Sequence, residues 1–186
     1  MKSYNYLVLI RGINVGGKNT IKMDELKQIF LDMKFTDVET YIQSGNVLFR
    51  DCEKNKKKLV ERIEEALSKK LKNDIKVAIL TISELKEVIN DIPKDFGEDI
   101  KSYKYDVIFL IEPLTPKEVI NKIKIKQGKD IIFEGSKSLY VKRFIEKLTG
   151  SYIAEILKIS QNITVRNLNT TKRLYELMLE REKSME

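Results

Sequence analysis

The sequence predicts an α+β fold made of two ferredoxin-like units in tandem, followed by a C-terminal helix. Apolar residues alternate between strand spacing and helix spacing in the order βαββαβ, and this order occurs twice along the 186 residues. In each half the middle two strands are separated by a short turn, which makes them an antiparallel hairpin. Each unit is therefore expected to be a mainly antiparallel sheet with its helices on one face.

The first half contains four strand patterns, at residues 4–10, 38–42, 47–49 and 75–82. Helical spacing covers residues 23–33 and 59–71. The turn Gln43-Ser44-Gly45-Asn46 separates the second strand from the third. Ser83 is expected to cap a short helix that carries Leu85 and Val88.

The second half repeats the order, with strand patterns at residues 105–111, 131–133, 139–141 and 163–165. Thr115 precedes Pro116 as an N-cap, and residues 151–157 have helical spacing. The last helix is expected to open at Asn169 or Thr170. The connector at 92–97 is rich in proline, glycine and polar residues, so we predict one unit over residues 1–92 and a second over 93–186 with the C-terminal helix.

The composition excludes several classes of protein. The chain has no histidine, so the usual zinc sites and the histidine-based catalytic groups are unavailable. A single cysteine, Cys52, excludes an internal disulfide and a cysteine metal cluster, and we expect no metal site. The sequence lacks a bilayer-length apolar run and a signal peptide pattern, which predicts a cytoplasmic protein without a membrane partner.

A glycine-rich loop, Arg11-Gly-Ile-Asn-Val-Gly-Gly-Lys-Asn19, follows the first strand directly. Glycine permits positive φ and close backbone approach, so backbone N–H groups, Arg11 and Lys18 are expected to surround an anion. Two alternatives stay open. Residues 12–18 match the first part of a P-loop, although Asn19 replaces its hydroxyl residue, and the stretch also suits a plain strand-to-helix connection.

Three polar clusters at strand ends are predicted to share one ligand site, because amides and arginine bind anions and polar groups well. The predicted ligand-binding residues are Arg11, Asn14, Gly16, Gly17, Lys18, Asn19, Tyr41, Gln43, Ser44, Asn46, Arg166, Asn167, Asn169 and Thr170. We expect Arg11, Lys18, Asn46, Arg166 and Asn169 to converge on one concave surface. The alternative is a set of separate turns, in which Asn169 or Thr170 simply caps the last helix.

Two classes of function follow from these clusters. The favoured one is binding of an anionic ligand, either nucleotide-like or a phosphorylated small molecule, with nucleic acid as a further option. The net charge of +7 favours such acidic partners. In the nucleic-acid option, Tyr4, Tyr6, Tyr41 and Phe49 offer aromatic faces for RRM-like stacking. Residues 45–49 lack the paired aromatics of that signature, and the alternative is that these rings belong to the core, as strand aromatics usually do.

The alternative class is an enzyme that acts on a small phosphorylated or carboxylated substrate. Arg11, Lys18 and Arg166 then act as electrostatic clamps. The nearby candidates for proton transfer are Asp24, Glu25 and Tyr41. A third interpretation treats the basic surface as a contact for another protein. The sequence specifies no cofactor and no oligomeric state.

The polar motifs also carry a resemblance to the uncharacterised bacterial domain-of-unknown-function family 1697. They are residues 11–19, Met23 with Leu26, residues 35–38, residues 41–46, Arg166-Asn167 and Asn169-Thr170. The resemblance covers nearly the whole chain and implies a tandem α/β fold in a small soluble cytoplasmic protein. It implies no established activity, cofactor or catalytic residue. Members of that family often have a tryptophan where this chain has Leu168.

Overall fold

The computed structural model describes residues 2–17, 19–123, 130–147 and 151–184, so Lys18 lies outside the described residues. The strands are β1 (Tyr4–Ile10), β2 (Thr36–Tyr41), β3 (Asn46–Asp51), β4 (Val77–Leu80), β5 (Tyr103–Leu110), β6 (Ile131–Glu134), β7 (Ser138–Phe144) and β8 (Ile163–Asn167). The helices are α1 (Met23–Asp32), α2 (Lys56–Leu71), α3 (Ile82–Asn90), α4 (Pro116–Lys122), α5 (Tyr152–Ile159) and α6 (Leu168–Lys183).

The strands form two four-stranded sheets of the same topology. Their orders are β2-β3-β1-β4 and β6-β7-β5-β8, so the first and third strands of each unit are central. All the strand pairs are antiparallel. This arrangement confirms the predicted tandem of two ferredoxin-like βαββαβ units.

The core of the first unit lies between its sheet and the helices α1 and α2. Val8 of β1 packs with Phe30 of α1 and Ile63 of α2 in one fully buried cluster. Burial of each such side chain contributes roughly 1.5–3 kcal/mol. Tyr6 and Phe49 belong to the same cluster, with ring centroids 5.5 Å apart. Of the two alternatives for these rings, an exposed nucleic-acid face or the core, the structure shows the core, because their strand positions face the helices.

The core of the second unit repeats this layering. Ile108 of β5, Val141 of β7 and Ile163 of β8 are fully buried in one cluster with Val119 of α4 and Ile156 of α5. Side chains on a strand alternate between the two faces of a sheet. The helices therefore cover one face, and the neighbouring strand positions point to the other.

Two helix starts differ from their predicted positions because other residues provide the caps. At the start of α3, the Thr81 hydroxyl accepts from the Glu84 backbone N–H at 3.3 Å, and the Glu84 carboxylate accepts from the Thr81 backbone N–H at 2.9 Å. This reciprocal pair is a capping box, so Thr81 replaces Ser83 as the cap. Helix α6 begins at Leu168, before Asn169.

The chain divides into two compact units, residues 1–85 with 174–186 and residues 86–173. This division differs from the sequence-based one in the last helix, whose residues from 174 onward belong to the first unit. There the Arg181 guanidinium contacts the Asp37 carboxylate at 2.9 Å and the Glu39 carboxylate at 3.3 Å. The boundary between units that the sequence predicts, after residue 92, stays a prediction.

Candidate functional site

The glycine-rich loop leaves β1 through a series of left-handed turns. Positive φ occurs at Gly12 (66°), Asn14 (55°), Gly16 (59°), Gly17 (74°) and Asn19 (48°). These are the residue types that adopt this region at low cost, since asparagine tolerates it better than other residues with a side chain. Helix α1 begins only at residue 23, whereas a P-loop helix begins at its lysine. The P-loop alternative therefore does not fit this loop.

Asn14 joins three segments of the first unit. Its side-chain oxygen accepts from the Ile21 backbone N–H at 2.9 Å, and its amide nitrogen donates to the Ile21 carbonyl at 3.0 Å. The same nitrogen donates to the Gln43 carbonyl at 3.2 Å. Asn14 thus imitates a backbone strand partner and holds the glycine-rich loop, the segment before α1 and the hairpin turn together.

Asn19 and Thr20 stabilise the loop from within. The Asn19 amide donates to the Gly12 carbonyl at 3.2 Å, and its oxygen accepts from the Asn73 amide at 2.9 Å. The Thr20 hydroxyl lies 3.4 Å from the Gly17 carbonyl. Because these groups bond to the chain itself, they fix the shape of the loop. The ligand contact predicted for Asn19 stays a prediction.

The hairpin turn packs tightly against the end of β1. The Ile10 backbone N–H donates to the Gly45 carbonyl at 2.8 Å. A Cβ atom on Gly45 would lie 3.0 Å from the Ile13 Cβ and 3.1 Å from the Ile10 Cβ, and φ at Gly45 is 68°. Both the close approach and the positive φ require glycine at this position.

Asn46 is fully buried behind the same turn. Its amide donates to the Tyr41 carbonyl at 3.0 Å and to the Ser44 hydroxyl at 2.8 Å. Tyr41 and Ser44 are half-buried, and Gln43 is exposed at the turn. Asn46 therefore shapes the turn that presents Gln43 to solvent.

A cavity of about 530 Å³ lies where the loop, the turn and the start of α1 meet. Its lining residues are Asn14, Gly17, Thr20, Ile21, Lys22, Met23, Asp24 and Gln43. Lys22 occupies the N-cap position of α1 and makes no side-chain capping bond. The first turn of a helix leaves backbone N–H groups without intrahelical partners, so this wall of the cavity is rich in donors. Asp24 places one carboxylate among them.

Arg11 lies at the end of β1 and is half-buried. Its backbone N–H donates to the Lys76 carbonyl at 3.0 Å. Burial lowers the pKa of its guanidinium from the ordinary value. Arg11 is not among the described residues that line the cavity.

The third predicted cluster lies around the start of α6 in the second unit. Arg166 is 7% exposed, and its guanidinium donates to the Thr164 hydroxyl at 2.9 Å and to the Val165 carbonyl at 2.8 Å. Burial lowers the pKa of Arg166 to about 10. The Asn167 side chain accepts from the Thr170 backbone N–H at 2.7 Å and so caps α6.

The remaining positions of this cluster differ in exposure. Asn169 is exposed, whereas Thr170 and Leu168 are buried, at 8% and 4%. A Cβ atom on Gly97 would lie 2.6 Å from a Leu168 methyl group, so Leu168 packs closely on that glycine. At the position where the family often has tryptophan, this chain therefore uses an apolar packing residue.

The structure thus joins two of the three predicted clusters within one unit. The glycine-rich loop meets the hairpin through Asn14 and Gln43. The Arg166 cluster belongs to the other unit, and its convergence with Arg11 and Lys18 stays a prediction. Four further residues line the cavity that were not predicted as part of the site: Thr20, Ile21, Lys22 and Met23. The feature of the sequence that could have indicated them is their position between the glycine-rich loop and the first helix. The residue pattern alone, however, did not show that this segment faces a cavity.

No group of three or more carboxylates and cysteines arranged for a metal ion occurs in the described part of the chain. Among those same residues, no helix has the length and apolar character needed to cross a membrane.

Fold and site together define a tandem ferredoxin-like protein with a cavity beneath a glycine-rich loop. The chain belongs to the family described as "Protein of unknown function (DUF1697)", whose model matches residues 3–140. This match confirms the family that the sequence resembles.

Among the solved structures that match, one example is similar over nearly the full length. It is that of the conserved bacterial protein SP0830 from Streptococcus pneumoniae, with a TM-score of 0.79 and 25% sequence identity. The similarity covers 95% of this chain and 99% of that one. No curated protein matches the chain significantly.

Proposed function

We propose that the protein binds a small anionic ligand, nucleotide-like or phosphorylated, in the cavity beneath the glycine-rich loop. The observation that carries this proposal is the cavity itself, which brings the loop and the hairpin turn to the start of α1. Its volume of about 530 Å³ lies within the range of about 300–1,000 Å³ that is typical of ligand pockets. A location in the cytoplasm remains part of the same proposal.

The lining supports an anion with a polar body attached. The Lys22 ammonium and the N–H groups at the start of α1 provide positive charge and donors. The exposed Gln43 amide both donates and accepts hydrogen bonds. Gly17 leaves open space, because a Cβ atom there would meet nothing within 4 Å. A ligand can therefore approach the backbone of the loop closely.

Asp24 favours a ligand that also carries hydroxyl groups. A carboxylate repels an anion but accepts hydrogen bonds from a hydroxyl. A sugar phosphate or a nucleotide satisfies both Lys22 and Asp24 if its phosphate lies near the lysine.

The position of Asp24 also supports the second candidate function, an enzyme on a small phosphorylated or carboxylated substrate. Among the sequence-based candidates for proton transfer, Asp24 lines the cavity. A carboxylate within hydrogen-bonding reach of a substrate hydroxyl is placed for general-base catalysis.

The binding proposal is tested by thermal unfolding with matched ligand pairs. Ribose 5-phosphate is compared with ribose, AMP with adenosine, and inorganic phosphate is measured alone. A ligand at 100 times its Kd stabilises the protein by about 2.7 kcal/mol, which corresponds to a rise in Tm of roughly 5 to 10 °C for a chain of this size. We expect the phosphorylated member of a pair to give this shift and its neutral partner to give less.

Variants then locate the site. Lys22→Ala should weaken binding about tenfold, or 1.4 kcal/mol. Lys27→Ala is the matched control, because Lys27 is an exposed lysine of α1 that does not belong to the described cavity lining. Equal affinities of the two variants, or no shift with any phosphorylated compound, would refute the site.

Asp24→Asn separates the two candidate functions. In a binding protein the variant should bind phosphate compounds at least as tightly as the wild type, since a repelling charge is removed. In an enzyme it should retain binding while turnover of the bound compound, followed by ³¹P NMR, is lost. Turnover that is the same in wild type and Asp24→Asn would exclude Asp24 as the base.

A further inference from the structure

The second unit carries aromatic side chains on the sheet face that its helices do not cover. Ile108 and Val141 point into the helix-covered core. Because side chains alternate along a strand, Tyr103 and Tyr105 of β5 and Phe144 of β7 point to the opposite face.

One end of this face forms a small aromatic surface. Tyr103 and Phe144 lie directly opposite each other on the two central strands, with ring centroids 4.4 Å apart and planes inclined by 53°. The Lys142 ammonium lies 4.0 Å from the Tyr103 ring centroid. Ile131, paired with Lys142 across β6 and β7, is 44% exposed. We call Tyr103, Ile131, Lys142 and Phe144 the aromatic end.

The middle of the same face is closed, which distinguishes it from the aromatic end. Phe96 packs edge-on against Tyr105 at 4.8 Å and against Tyr140 at 5.8 Å, and all three are buried. Tyr103 and Phe144 are only half-buried. Partial exposure of two adjacent rings leaves apolar ring surface in contact with water.

The first unit has no equivalent ring pair among its described residues. Its first strand also begins with a half-buried tyrosine, Tyr4, and the Lys2 and Lys54 ammonium groups lie 5.8 Å and 5.3 Å from that ring centroid. Tyr4 points to the helix-covered face, where it packs against the core of the first unit, and the residue opposite it is Asp51. Tyr4 therefore serves as a control for the loss of a half-buried tyrosine that lies outside the uncovered face of the second unit.

We propose that the aromatic end binds single-stranded nucleic acid by stacking a base against Tyr103 and Phe144, with Lys142 contacting a phosphate. In a four-stranded sheet of this topology, aromatic residues on the two central strands are the positions at which RRM domains stack bases. Nucleic acid matches the charge of the chain, which is +7, and of this end, where Lys101 is also exposed. The site uses none of the residues that line the cavity.

One acidic side chain near the aromatic end, Asp99, is hydrogen-bonded within the turn that it belongs to. The Asp99 carboxylate interacts electrostatically with Lys142 and accepts from the Ser102 backbone N–H at 3.1 Å. A phosphate at Lys142 therefore competes with an exposed carboxylate that is already bonded elsewhere. Lys142 keeps three donors, of which several can reach a phosphate oxygen.

The test measures binding of a fluorescein-labelled 12-nucleotide oligouridylate by fluorescence anisotropy. Tyr103→Leu and Phe144→Leu keep an apolar side chain and remove the ring, and each should weaken binding roughly 5- to 150-fold, the range expected for one stacked base. Tyr4→Leu should leave binding within twofold of the wild type. No measurable binding by the wild type, equal binding of duplex RNA, or equal losses in all three variants would overturn the proposal.

The salt dependence of affinity distinguishes a specific phosphate contact at Lys142 from a general effect of net charge. Lys142→Gln should reduce the slope of log affinity against log salt by roughly 0.7, the value for one single-strand phosphate contact. Lys57→Gln, at an exposed position of α2, should leave the slope unchanged. An equal change in both slopes would show only a general effect of net charge.

A tryptophan reporter covers the case in which a leucine variant fails to fold. The chain has no tryptophan, so Phe144→Trp introduces a single indole at the site. Oligouridylate should quench its fluorescence along the same curve as the anisotropy change, whereas the indole of Tyr4→Trp should not respond. If the oligouridylate binds without quenching the indole of Phe144→Trp, its binding site lies elsewhere and the proposal is overturned.

Discussion

The contact between the hairpin turn and the end of β1 depends on Gly45, and replacing it should be costly. An alanine Cβ there would lie 3.0 Å from the Ile13 Cβ, 3.1 Å from the Ile10 Cβ and 3.2 Å from the Ile10 carbonyl oxygen. These atoms belong to the backbone or are attached directly to it, so they cannot rotate away. The alternative to a clash is a shift of the turn that carries Gln43.

Gly16→Ala provides the matched comparison. Gly16 has φ of 59°, close to the 68° of Gly45, but its Cβ would meet nothing within 4 Å. Both alanine variants therefore pay the left-handed backbone cost of roughly 1–2 kcal/mol. Gly45→Ala adds an overpacking cost of roughly 1–3 kcal/mol. The total for Gly45→Ala is thus about 2–5 kcal/mol by the same two principles.

The assay is equilibrium urea unfolding followed by far-UV circular dichroism. We expect Gly45→Ala to reduce the free energy of unfolding by at least about 1 kcal/mol more than Gly16→Ala, the lower bound of the overpacking cost. The same variant should lose affinity for the cavity ligand, since the turn moves. A free energy of unfolding for Gly45→Ala equal to that of Gly16→Ala would refute the close-contact reasoning.

Two further predictions concern buried polar groups. Asn14→Ala should reduce the free energy of unfolding by roughly 1–3 kcal/mol, because the buried Ile21 N–H loses its acceptor. Urea unfolding measures this change, and a loss below about 0.5 kcal/mol, as at ordinary surface sites, would contradict the prediction. Burial raises the pKa of Tyr140 from 10.0 to about 12, so the stability that its neutral hydroxyl provides is complete below pH 10 and is lost as pH rises toward 12. Wild type should therefore lose about 2–3 kcal/mol more than Tyr140→Phe across this interval, and parallel pH profiles would disprove the shift.

Sequence patterns were sufficient for the architecture and for the conformation of the glycines that follow β1. The repeated βαββαβ order and the two short turns predicted both sheets, because side-chain periodicity and turn residues act over neighbouring positions. The glycines of the loop after β1 were likewise expected to permit positive φ, and Gly12, Gly16 and Gly17 have it. These features depend on local chemistry that is readable in a single sequence.

The strand pattern was ambiguous where both faces of a sheet are apolar. Tyr6 and Phe49 were candidates for either an exposed face or the core, and they lie in the core. Tyr103 and Phe144, which no sequence pattern singled out, meet at a half-exposed end. A shift of one position changes the face to which a side chain points, and apolar residues on both faces hide that shift.

The sequence by itself determined the fold class, the family and the position of a glycine-rich loop beside a hairpin turn. Only the tertiary structure decided which polar side chains of that loop bond to the chain and which face a cavity. Asn19 finds its partner at Asn73, and Asn14 finds one at Gln43, both far along the sequence. Hydrogen-bond partners of this kind are brought together by packing of the whole unit, so no local pattern specifies them.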